Sequence, residues 1–153
     1  MKRIMIGVIA VLVVLGMSGC ATTGVLTPLP KTLNIINPDP SIGEIAKCSG
    51  IWGGRWDNTS LQATTVVLEK IDPTEVIAIY SWGSTPSYIG GWTRVSGKIK
   101  NSSTIVLEWG EKEQRRTVTL TLVGNELQAE YRRAGYINHA TLTKVPALAP
   151  KSP

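Results

Sequence analysis

The sequence predicts an all-β domain, an eight-stranded antiparallel up-and-down barrel. Three observations carry this. From Gly50 onward apolar and polar residues alternate with period two, Gly, Pro, Asn, Asp and Ser interrupt the alternation at regular intervals, and no long 3.6-residue period provides crossover helices for a parallel sheet. Val, Ile, Thr, Tyr and Trp dominate the alternating segments, as a half-buried pleated surface requires.

In order, the strand segments are IWGGRWD, TTVVLEKI, EVIAIYSW, GWTRVSGKI, TIVLEW, RRTVTLTLV, ELQAEYR and INHATLTKV. The first is followed by NTS, the second by DPT and the third by the longest break, GSTPSYIG. The later breaks are KNSS, GEKEQ, GN and RAGY. Gly124-Asn125 between two strands signals a tight hairpin. NTS at Asn58 and NSS at Asn101 have the N-glycosylation pattern but read as turns. So many short antiparallel strands hide their edges best by closing on themselves. Eight is also the number whose interior side chains can fill, or whose mouth can hold one small ligand. A two-sheet β-sandwich is the alternative, but the short connections favour a meander.

The first 45 residues are of another kind. Lys2 and Arg3 precede an apolar run from Ile4 to Met17, too short for a comfortable membrane span, and LGMSGC then places small residues before Cys20. This stretch resembles the lipobox of bacterial lipoproteins. The resemblance implies a cleaved leader (1–19) and a mature N-terminus at Cys20 carrying fatty acid on its thiol. With Ala21 after the cysteine it implies a cell-envelope protein held to the outer membrane and facing the periplasm. An unlipidated secretory signal and a retained anchor helix are the alternatives. Residues 20–45 read as a tether, with four prolines in ATTGVLTPLPKTLNIINPDP and a reach of about 25 Å. Ser41 and Glu44 fit a capping box for a short helical turn. The barrel domain occupies 46–145, and 146–153 is a flexible tail.

Charge and cysteine content exclude several classes. The formal net charge of +5 counts Lys2 and Arg3, so a mature chain carries +3, scattered except for EKEQRR and YRRAG. A nucleic-acid binder would show a basic stripe on one face, and none is present. With Cys20 lipidated, Cys48 stands alone; no disulfide framework follows, and Cys48 reads as a small buried apolar side chain. The single histidine, His139, alternates outward with Thr141, while Ala140 and Leu142 point inward. No Gly-x-Ser-x-Gly elbow presents a nucleophile, and one histidine with one spare cysteine does not make a metal site. Glu69, Glu108 and Glu130 lie on different strands and specify no acid–base pair. The expectation is a non-enzyme without metal or cofactor.

Gly50-Ile51-Trp52 and Gly54-Arg55-Trp56 resemble the Gly-x-Trp of the calycins, the lipocalin and avidin group, on the first strand of an eight-stranded meander. The wider run from WGGRW through YSWG and GWTRVSGKI resembles small exported bacterial domains. The calycin resemblance implies a barrel floor packed by Trp52 and Trp56, with a late-strand arginine, Arg132 or Arg133, laid across the ring by cation–π contact. The even spacing puts both tryptophans on one side of a strand, and Gly54 between them leaves room for their rings.

Two further stretches bear on function. YSWGSTPSYIGGWTR groups Tyr80, Trp82, Tyr88 and Trp92 around the longest connection. Rigid aromatics at a barrel mouth suit a small apolar or glycan ligand; the alternative is a set of rings folded back as a lid on the core. TTVVLEKI and EVIAIY are apolar on both faces, so Val67, Ile77 and Ile79 form an outer patch that something covers. The LNII segment, the IGEIA turn or a second protein could do so. Two functions follow: a lipid-anchored module binding a small ligand at its mouth, or an envelope structural protein with a filled barrel and the outer patch as its partner surface.

Overall fold

The computed structural model describes residues 27–58 and 60–146. The leader, Cys20 and residues 147–153 lie outside them. Eight antiparallel strands form one closed barrel in sequence order: β1 (Gly50–Arg55), β2 (Ala63–Ile71), β3 (Val76–Trp82), β4 (Gly91–Asn101), β5 (Thr104–Trp109), β6 (Arg116–Val123), β7 (Glu126–Arg133) and β8 (Tyr136–Val145). Closure comes from β8 returning to β1, with Trp52 opposite Lys144. The barrel, not the sandwich, is therefore the fold, and each strand lies where its alternating segment falls in the sequence.

Alternation sorts the side chains. Trp52, Val66, Leu68, Ala78, Val95, Ile105, Leu107, Val118, Leu120, Leu127 and Leu142 point inward and form one buried core. Gly54 does not make room for tryptophan rings, as its position between Trp52 and Trp56 suggests. A Cβ there would sit 2.5 Å from the Thr141 carbonyl oxygen and 2.8 Å from a Leu142 methyl, so the glycine lets β8 close tightly on β1. At the β6–β7 hairpin Gly124 takes φ +61, the left-handed conformation that glycine tolerates without cost.

A 3₁₀ segment, Pro40–Cys48, plugs the end of the barrel where β1 begins. Ile45 and Cys48 are buried there, with Ile42 packed beside them. The capping box of Ser41 and Glu44 does not form. Asp39 is the cap, accepting from the Ser41 amide at 2.8 Å, while Glu44 pairs with Lys47. Gly43 at φ +79 kinks the segment, which is why it never becomes a regular helix.

The described part of the tether is not a free linker. Residues 27–36 lie down the outside of β1, β2 and β3 as a strap. Thr27 donates its hydroxyl to Thr65 at 2.7 Å, and the Ser81 hydroxyl donates to the Pro28 carbonyl. Leu29 and Leu33 pack over Ile51, Val67, Ile79 and Val145. The outer apolar patch thus has its cover within the same chain: Val67 and Ile79 are fully buried, and Ile77 is half-buried. Of the three covers the sequence allows, the LNII segment is the one found, through Leu33.

One charged residue anchors the strap. The β2–β3 register slips between Leu68 and Lys70, and the outward carboxylate of Glu69 meets the strap there. It accepts the Asn34 amide at 2.9 Å and two bonds from the Arg94 guanidinium, at 2.8 and 3.2 Å, while its own carbonyl accepts the Ile36 amide at 2.7 Å. Burial works to raise the Glu69 carboxyl, but the Arg94 hydrogen bond, the Asn34 amide and the Arg94 charge outweigh it and hold it below its ordinary value.

Candidate functional site: the open mouth

Among the described residues, no segment plugs the other end of the barrel. The loops β1–β2, β3–β4, β5–β6 and β7–β8 surround a cup of about 680 Å³, within the size range of small-ligand sites. Its base is aromatic because β3, β5 and β7 each reach the mouth with an inward-facing aromatic residue. Tyr80 continues the inward row of Val76 and Ala78, Trp109 that of Ile105 and Leu107, and Tyr131 that of Leu127 and Ala129. The rings touch. Tyr80 lies 4.9 Å from Trp109, 6.0 Å from Trp82 and 6.2 Å from Tyr131, to which it is nearly parallel, and Trp56 tilts against Tyr131 at 5.9 Å. Burial, with the Tyr131 hydroxyl nearby, pushes the Tyr80 phenol well above its ordinary value, so it stays neutral.

Three of the four mouth residues expected from the sequence, Tyr80, Trp82 and Tyr88, line this cup; Trp92 does not. It lies at the same end but pairs with Ser81 across the sheet and so points outward, 42% exposed. The odd offset from inward Val95 puts it on the outer face. Trp82 is held in place on two sides. Its indole donates to the Ile89 carbonyl at 3.1 Å, drawing in the β3–β4 loop, and its ring lies over Gly91, where a Cβ would come within 2.8 Å.

The expected floor pair separates along the barrel. Trp52 sits at the plugged end, 2% exposed, donating its indole N–H to the Cys48 carbonyl at 2.6 Å. Trp56 is equally buried but lies toward the other end, beneath the cup. Neither Arg132 nor Arg133 lies across Trp52. The cation over that ring is Lys144, 5.3 Å from its centroid. Arg132 points outward and pairs with Glu130, and Arg133 points into the mouth. Both arginines lie where β7 ends at the mouth, too far along the strand to reach the floor.

Several cup residues escape a reading centred on one loop: Trp109, Tyr131, Arg116, Gln62 and Asn138. Strand parity carries their signal, since following the inward row of each strand to its mouth end reaches Trp109, Tyr131 and Arg116. His139 is outward and exposed on β8, its ring 3.4 Å from Glu130 and 3.6 Å from Asp57. The Cys48 thiol is pushed up to about 11 by burial, against the opposing charge of Lys144, which leaves it protonated and unreactive at neutral pH.

The described residues thus form a small closed up-and-down barrel, plugged at one end and open at the other into an aromatic cup. No family model matches the chain, and comparison with curated proteins and with solved structures finds no match.

Proposed function

We propose that the protein is a binding module, tethered to the cell envelope through lipid on Cys20, that holds a small apolar or glycan ligand in the mouth of its barrel. The observation that carries this is the cup, where three half-buried rings, Trp82, Trp109 and Tyr131, face an open space above a buried base of Trp56 and Tyr80. Rigid rings with amide and hydroxyl groups around them offer stacking area at little cost in side-chain entropy. The calycin likeness belongs to the same proposal, supported by the buried first-strand Trp52 and its cation, here a lysine.

The strap supports the tethered reading. Thr27, where the described strap begins, bonds to Thr65 near the mouth end of β2. The segment 20–27 spans at most about 25 Å when fully extended. Around the same rim Leu61, Tyr88, Ile89, Trp92, Tyr136 and Ile137 are exposed, an apolar ring suited to a mouth turned toward lipid.

The binding reading is tested by tryptophan fluorescence. Apolar or glycan ligands that enter the cup change the emission of wild-type protein, and Trp82→Ala with Trp109→Ala removes that response while the barrel stays folded. A screen in which no such ligand alters the emission sinks the reading. Metabolic labelling with a clickable fatty acid tests the anchor: label is present on wild type and lost in Cys20→Ser, and equal labelling of the two removes the lipid from the proposal.

A further inference from the structure

The cup contains two cations in an unexpected place. Arg116 on β6 and Arg133 on β7 are direct register partners, and both point inward, Arg116 in the row of Val118 and Leu120, Arg133 in the row of Leu127 and Ala129. Like charges directly opposite one another on a sheet face repel. Neighbouring Arg132, facing outward, has Glu130 as its partner. Among the described residues, neither Arg116 nor Arg133 forms an ion pair. Arg133 donates to the neutral Gln114 amide oxygen at 2.7 Å, and no Asp or Glu lines the cup. Two half-buried guanidinium groups are therefore turned in beside the aromatic base with nothing of opposite charge to meet them.

We infer that the cup takes an amphiphilic anion, a small ligand with a flat apolar body and one carboxylate, sulfonate or phosphate-like head, the head seated between Arg116 and Arg133. This rests on the binding reading above and narrows it. The planar guanidinium fork matches two oxygens of such a head, and charge-assisted bonds of this kind are the strong ones. The body has its place beside the head. Trp109 is the register partner of Arg116, and Tyr131 precedes Arg133 by two residues in the same inward row. Tyr80 bridges the two rings, 4.9 Å from Trp109 and 6.2 Å from Tyr131. A cationic ligand meets two like charges and is rejected. A neutral one stacks on the rings but leaves both guanidinium groups uncompensated.

A matched pair of probes tests this. Anilinonaphthalene sulfonate and phenylnaphthylamine share one aromatic body and differ in the sulfonate. Wild-type protein should bind the sulfonate at least about tenfold more tightly, the size expected when one charge-assisted hydrogen-bonded contact is added. Arg116→Gln with Arg133→Gln should abolish that preference and leave phenylnaphthylamine bound as before. On unaltered protein, raising the salt concentration should shrink the preference, which reads the same charge without any substitution. Equal binding of the two probes by wild type, or a preference that survives in the double variant, overturns the anion and leaves the cup standing. If neither probe binds, the cup reading fails and the anion with it.

Discussion

The two ends of this barrel are made by the same strands with the same alternation, and they behave in opposite ways. At one end the inward rows finish against the segment Pro40–Cys48. Trp52 loses nearly all its exposure, its indole N–H finds the Cys48 carbonyl, and Lys144 covers the ring. At the other end the rows finish in rings that no segment among the described residues covers. A tryptophan is thus core or candidate site according to what lies beyond the strand end. The lesson is that residue type and parity decide only whether a side chain enters the barrel; a plug decides whether it meets protein or solvent.

The largest effect that could break this comparison is at the plugged end. Trp52→Ala should cost about 3–5 kcal/mol, because it opens a cavity in a packed site and leaves the Cys48 carbonyl without its donor. Trp82→Ala in the half-buried mouth should cost about 1–2 kcal/mol. Chemical denaturation of the two variants measures the gap, and equal losses would show that the mouth is core as well.

Acid should act next, on the strap. The Glu69 carboxyl is held below its ordinary value near 4.5. Its contribution is complete above that value and is lost as pH falls through the lower folded value. Strap release, read by hydrogen exchange at the Asn34 amide, should therefore begin only below about pH 4.5, and Glu69→Gln should remove this pH dependence. Exchange that is independent of pH in wild type, after correction for the intrinsic rate, would mean that Glu69 does not anchor the strap.

The smallest effect concerns Cys48. A thiol raised to about 11 and buried at the end of the plug should not react with a maleimide at neutral pH in the native state, yet should react once the protein is unfolded. Fast native labelling, followed by mass spectrometry, would show that the plug opens readily.

Much of the fold was legible without coordinates. The eight segments of alternating residues are the eight strands, since a period of two is a local property that each strand carries in its own residues. The site was legible only in part. Tyr80, Trp82 and Tyr88 cluster in sequence because one loop joins them. Trp109, Arg116, Tyr131 and Arg133 come from β5, β6 and β7, far along the chain from that loop, and join its residues only because barrel closure brings these strands to the same rim. Trp92 was misplaced because proximity to that loop says nothing about which face a residue takes.

By itself, then, the sequence determined the strands, their inward and outward faces, a meander connection and the existence of an outer patch needing a cover, all through short-range alternation and turn chemistry. Tertiary structure alone decided that Leu29 and Leu33 supply the cover, that Lys144 in place of an arginine lies over Trp52, and that Arg116 and Arg133 face each other across an aromatic cup. These depend on barrel closure and strand register, which bring together residues whose separation in the chain carries no local signal.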